Sequence, residues 1–148
     1  AALALGAEGV NLGTRFCATV EAPIHADIKQ ALVRASERDT QLIFRTLHNT
    51  GRVLKNAVSD EVVAMERRPG GCEFADIQPL VSGQRGRQAL HSGNVDGGLV
   101  WAGQVVGLID DVPRCDELME RMVRECREAL ARAGRLAAAQ GAQVLQEA

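Results

Sequence analysis

The sequence predicts a mostly helical α/β chain with a single strand, and three observations carry that prediction. A short apolar alternation, Glu8 to Leu12, runs straight into Gly13-Thr14. Several later stretches repeat apolar residues with a helical period. From Pro113 onward the chain reads as one long helix. With 148 residues, 46% of them apolar and 24% charged, it is long enough for a soluble domain with a real core.

Taken in order, Ala1 to Leu5 read as the last turn of a helix closed by Gly6 as a left-handed cap. A chain that opens inside an element suggests a fragment. The strand Glu8 to Leu12 delivers the backbone to Gly13, which permits close approach, and to Thr14, whose hydroxyl adds a donor, with Arg15 next. That is how a strand end presents amides to a phosphate. An ordinary strand end reads the same way, and no G-x-G-x-x-G fingerprint accompanies it.

Ile24 to Ser36 reads as a helix, with Ile28, Ala31, Leu32 and Ala35 inward and Asp27, Lys29, Gln30 and Arg34 on the other face. Pro23 sits just ahead of it. Thr40 to Phe44 is β-prone and short, either a strand or a buried link. Leu47 to Ala57 reads as a helix with Val53, Leu54 and Ala57 inward; Arg45, Arg52 and Lys55 form a basic face, solvated or facing an anionic ligand. Ser59 reads as the N-cap of the next helix, with Asp60 and Glu61 in its first turn and Val58 stapled to Val63. Arg67 and Arg68 occupy its last turn, and Pro69-Gly70-Gly71 stops it.

Two short helices follow, Phe74 to Leu80 and Gln84 to His91, separated by Ser82-Gly83. Gly93 to Gly98 is a loop of residues that tolerate positive φ. Leu99 to Gln104 leads from it into a small apolar segment, Val105 to Ile109. Trp101, the sole tryptophan, stands beside small residues and either lines a flat ligand or belongs to the core. Pro113 fits the first position of the closing helix, whose apolar stripe includes Leu118, Met122, Val123, Cys126 and Leu130. Glu117 with Arg121, Glu120 with Arg124, and Glu128 with Arg132 are favourable i, i+4 pairs. The tail after Gly134 is alanine-rich, and Gly141 invites fraying.

Composition excludes several classes. Seventeen basic and nineteen acidic residues give a net charge of −2 with four aromatic residues, so there is neither a basic stripe nor a stacking platform for nucleic acid. No run reaches the ~18 apolar residues of a membrane span, and the opening AALALGAEG lacks the basic flank of a signal peptide, so a soluble cytoplasmic chain is expected. Cys17, Cys72, Cys115 and Cys126 form no C-x-x-C and pair with no histidine at ligand spacing. They read as free thiols, with no metal site.

A resemblance carries the reading further. The runs GVNLGTRFCATVEAPIH, ERDTQLIFRTLHNTGRVLKNAVSDEV and LVSGQRGRQALHSGNVDGGLVWAGQVVGLIDD resemble, in that order, the C-terminal half of the nitronate monooxygenase (2-nitropropane dioxygenase) family. Within it, their wording is most similar to the bacterial NADH:quinone reductase branch. The likeness extends from Ala1 to about Glu128.

The resemblance implies an α/β fold, the C-terminal part of an FMN-binding TIM barrel with a helical cap domain. Residues 1–23 would be the end of the barrel, with Val10 to Leu12 as its eighth strand; residues 24–112 the cap and return segment; residues 113–148 the closing barrel helix and tail. Gly13 and Thr14 would hold the FMN phosphate, where barrels bind phosphate anyway. Trp101, Gly103 and Gln104 would lie near the flavin. The family's catalytic histidine would lie upstream of Ala1, so no catalytic role passes to His25, His48 or His91. The implied activity is oxidation of alkyl nitronates with oxygen or electron transfer from NADH to quinones. The substrate would be a small molecule, and the partner a second copy or a missing N-terminal half. A chain of this length would be inactive alone, because one strand closes no barrel. The alternative is a non-catalytic helical module or a split half needing a partner.

Overall fold

The computed structural model describes the backbone of residues 1–144 and side chains as far as residue 138. The chain divides into two compact units, Ala1–Val112 and Pro113–Ala148. The first contains helices α1 (Thr14–Cys17), α2 (Ala26–Arg34), α3 (Ala57–Glu66), α4 (Phe74–Val81) and α5 (Gly83–Ser92), strands β1 (Thr40–Ile43) and β2 (Gly51–Leu54), and a 3-10 turn at Gln104–Leu108. The second is helix α6, Cys115–Val144.

The strands are not where the alternating pattern placed one. Residues 8–12 form no strand, and Val10 and Leu12 are exposed. A lone strand leaves its backbone groups to water, and no strand among the described residues lies beside this one. Gly6 does take the expected positive φ, 91°.

The β-prone Thr40–Ile43 is a strand, and its partner comes from the stretch predicted as the helix Leu47 to Ala57. β1 and β2 run antiparallel in the register Thr40↔Leu54, Gln41↔Val53, Leu42↔Arg52 and Ile43↔Gly51. Pairing overrode a helical spacing of Val53, Leu54 and Ala57. The loop between the strands turns through Phe44 (φ 61°) and His48 (φ 53°), both left-handed. Non-glycine residues resist this conformation by about 1–2 kcal/mol each. The buried carboxylate of Glu66 offsets that by accepting from Phe44 N (3.1 Å), Thr46 N (3.2 Å) and Thr46 Oγ1 (3.1 Å).

Helix α3 is capped by Asn56 rather than Ser59. Asn56 Oδ1 accepts from Ser59 N (2.8 Å) while Asn56 N donates to Ser59 Oγ (2.9 Å), a reciprocal capping box with serine at the third helical position. Val58 therefore lies inside the helix instead of stapling its entry. The Asn56 amide also donates to Val95 O (2.6 Å) and Gly98 O (2.7 Å), fastening the 93–98 loop to this helix end. The predicted stop at Pro69-Gly70-Gly71 holds, with Arg67 as the C-cap.

Helix α2 starts at Ala26, two residues later than predicted, with the His25 ring as N-cap acceptor for Asp27 N (3.2 Å). Lys29, assigned to the wet face, is buried, and its Nζ donates to Val20 O at 3.0 Å. Helices α4 and α5 fall within a residue of expectation, since Ser82 caps α5 and Gly93 ends it at φ 81°. A Cβ on Gly93 would collide with the His25 ring.

Two apolar clusters hold this unit. Ile28, Leu32, Leu54, Val100, Val106 and Ile109 centre one; Ile43, Val53, Val58, Val62, Ile77 and Leu99 centre the other. The segment 100–102 runs beside β2: Leu54 N donates to Val100 O (2.8 Å), Ala102 N donates to Arg52 O (3.4 Å), and Trp101 bridges Val53. Helix α6 begins two residues after Pro113 and continues through Gly134 and Gly141 to Val144, so glycine does not end it there. The fraying expected at Gly141 is not seen in the described backbone, and the final residues, 145–148, lie outside the described residues. No described helix is long and apolar enough to cross a membrane.

Candidate phosphate loop and the Trp101 platform

Gly13 does not end a strand here. It is the N-cap of α1, and a Cβ added to it would meet nothing within 4 Å, so the loop faces open space. The backbone N–H groups of Gly13, Thr14 and Arg15 engage no described hydrogen bond, because they precede the first turn that could satisfy them. Thr14 Oγ1 accepts from Gly103 N at 3.0 Å, which leaves the hydroxyl proton free to donate. The structure thus joins two of the sequence-selected residues, 89 positions apart, in one hydrogen bond.

Arg15 ties the same two segments together. Its terminal nitrogen donates to Asp111 Oδ1 (2.9 Å), Asp111 O (3.2 Å) and Ala18 O (3.3 Å). Its Nε is buried, with no hydrogen-bond partner among the described residues. The three unengaged amides and the Thr14 hydroxyl form a donor set that faces solvent, and a phosphate supplies acceptors to it. The residues present therefore fit a phosphate group. Sequence reading placed a basic residue after the hydroxyl but missed its partner Asp111, which only the folded return segment brings near.

Trp101 is neither core nor free. Its ring packs against Phe44, centroids 6.3 Å apart and planes tilted by 53°, and covers Gly51, where a Cβ would run into the indole. The ring is nevertheless 56% exposed, so it stands as a supported aromatic wall. Gln104 is exposed at the start of the 3-10 turn, and its side chain has no described hydrogen-bond partner. The structure brings Gly103 to Thr14, while Trp101 and Gln104 adjoin Gly103 only along the chain.

Cys17, half-buried in α1, has its thiol pushed up by desolvation, which disfavours a thiolate nucleophile there. Among the described residues no three His, Cys, Asp or Glu side chains gather around a position that could hold a metal ion.

Residues 1–125 match the family model "Nitronate monooxygenase". The chain is 31% identical over 129 residues to a nitronate monooxygenase of Pseudomonas aeruginosa, an alignment covering 86% of this chain and 35% of that protein. It is 26% identical over 157 residues to a (3aS,4S,5R,7aS)-5-hydroxy-7a-methyl-1-oxo-octahydro-1H-indene-4-carboxyl-CoA dehydrogenase of Mycobacterium tuberculosis, covering 83% of this chain and 44% of that one. Among solved structures, FabK from Thermotoga maritima superposes with a TM-score of 0.80 at 32% identity, over 89% of this chain and 41% of that one. The chain spans less than half the length of these relatives. The family match over most of the chain, together with that superposition, shows that it belongs to the nitronate monooxygenase family of TIM-barrel flavin oxidoreductases.

Proposed function

We propose that this chain forms the phosphate-holding end and cap of an FMN-dependent oxidoreductase that oxidises alkyl nitronates with oxygen or passes electrons from NADH to quinones. The observation that carries the reading is the set of unengaged backbone amides at Gly13, Thr14 and Arg15, held beside the return segment by the bond from Gly103 N to Thr14 Oγ1. Bound FMN supplies the electron transfer between donor and acceptor, which protein side chains alone cannot perform.

In this reading the amides of Gly13 to Arg15 and the Thr14 hydroxyl hold the phosphate. Gly103, fixed to Thr14, sets the return segment against the loop. Trp101 and Gln104 face the ring side of the site. Residues 1–23 belong to the barrel, residues 24–112 to the cap and return, and the segment from 113 to the barrel's closing helix. No residue of this chain takes a catalytic role. The exposed apolar side chains Leu5, Val10, Leu12 and Leu108 suit a surface covered by the remainder of a barrel or by a second copy, in the cytoplasm.

The test is an FMN titration of the purified chain, read by flavin fluorescence. Saturable binding that weakens about tenfold in Thr14→Val and survives in Thr14→Ser supports the reading, since one hydrogen bond to a charged phosphate is worth about 1.5–3 kcal/mol. Binding unchanged by Thr14→Val removes Thr14 from the site. A folded chain that binds no FMN shows that the loop is not preformed.

A further inference from the structure

A groove of about 350 Å³ lies within the first unit, between the Trp101 ring and helix α5. Its apolar wall comes from Ile24, Leu90, Leu99 and Trp101, and its polar groups are dominated by Arg87 and His91. That volume lies at the lower end of the ~300–1,000 Å³ typical of small-ligand sites. No carboxylate among the described residues lines it. Arg87 and His91, one helical turn apart on α5, are exposed and have no described hydrogen bond or ion pair. The neighbouring hollows differ: Glu66 lines one and Asp96 another, beside Arg45 and Arg85 respectively.

We propose that this groove binds an organic carboxylate with a flat apolar body. The body lies against Trp101, whose ring is supported from behind by Phe44 and Gly51 and so cannot retreat. The carboxylate meets the Arg87 guanidinium, whose planar fork suits two oxygens, and the His91 imidazole. Apolar contact supplies affinity, and the unopposed positive charge supplies selection against neutral analogues. Binding by this groove stands apart from the flavin reading, since none of the Gly13 to Arg15 donors lines it.

The experiment uses the flavin-free chain and phenylbutyrate, compared with its uncharged amide. Trp101 is the only tryptophan in the sequence, so its emission reports directly on the groove. Phenylbutyrate is expected to shift the emission saturably, with the amide about tenfold weaker, as a lost charged hydrogen bond implies. Arg87→Gln, a change on an exposed helix face, should erase that preference. Gly83→Leu should abolish binding of both ligands: Gly83 lines the groove, and a Cβ there meets nothing within 4 Å, so the side chain fills space without moving the backbone. Circular dichroism checks the fold of each variant. Equal affinity for acid and amide, binding that survives Gly83→Leu, or no emission change in the folded wild-type chain overturns the proposal. Because no flavin is present, none of these outcomes bears on the FMN titration.

Discussion

The N-terminus of α3 and the loop at Gly13 to Arg15 both gather backbone N–H groups, and they differ in what those donors meet. At α3, Asn56 and Ser59 exchange hydrogen bonds, Ala57 N donates to Asp96 Oδ1 (2.9 Å), and the Asn56 amide spends both protons on carbonyls. At Gly13 to Arg15, the amides find no acceptor among the described residues. A closed network holds a fold together. An open one that faces solvent is available to a ligand, whose acceptors replace water at those donors.

Mutations that disturb the closed network should therefore act on stability, and the largest effect is expected at Asn56. Asn56→Ala removes the cap and strands the Val95 and Gly98 carbonyls, a loss of about 3 kcal/mol from the cap and buried-acceptor terms together. Urea unfolding followed by circular dichroism measures it. A loss below about 0.5 kcal/mol would mean that water replaces the amide and that the network is not closed.

The next effect tests the supported wall. Gly51→Ala places a methyl group where the Trp101 ring lies, so the ring must move or the hairpin must yield, at about 1–3 kcal/mol of overpacking. Trp101 emission should shift toward that of a fully solvated indole. An unchanged spectrum would show that the ring is not held by Gly51.

Thr14→Val separates the two regions most sharply. It leaves the half-buried Gly103 N–H without its acceptor, which costs about 1 kcal/mol of stability. The tenfold loss of FMN affinity expected from the same change has no counterpart at α3. Asn56→Ala should weaken folding more and flavin binding less. The opposite ranking, measured by urea midpoints and FMN titrations on both variants, would collapse the distinction.

What the sequence made legible follows the same division between local and distant causes. Helices α4 and α5 emerged within a residue because their signals are local: Ser82 as cap, Gly93 as stop. The hairpin did not, since β2 exists only through pairing with β1 and the 100–102 segment, and its own spacing favoured a helix. The strand at Glu8 to Leu12 failed for the converse reason, having the pattern but no neighbour among the described residues. At the candidate site, Gly13, Thr14 and Gly103 were visible as residue types. The bond joining Thr14 to Gly103 and the Arg15–Asp111 pair were not, because contacts across about ninety positions leave no periodicity to read.

The smallest predicted effect lies in a third donor cluster, closed like α3 but exposed. Asp39 accepts from Ser36 N and Ser36 Oγ, both at 2.8 Å, and these bonds, the backbone one first, hold its carboxyl below the usual carboxylate range, with Lys55 adding a minor attraction. A carboxyl depressed by folding contributes stability above its unfolded value and loses it as pH falls through the lower folded value. The contribution is therefore constant at neutral pH and fades in acid. Wild type and Asp39→Asn should differ slightly in urea midpoint at neutral pH, and the difference should shrink on acidification below the ordinary aspartate range. A gap that widens in acid would reverse the sign and place the stabilising partner elsewhere. Because Asp39 is fully exposed, water competes for every one of its bonds. The comparison with Asn56 thus isolates burial: both clusters satisfy their donors, and the larger effect is expected where water cannot take over.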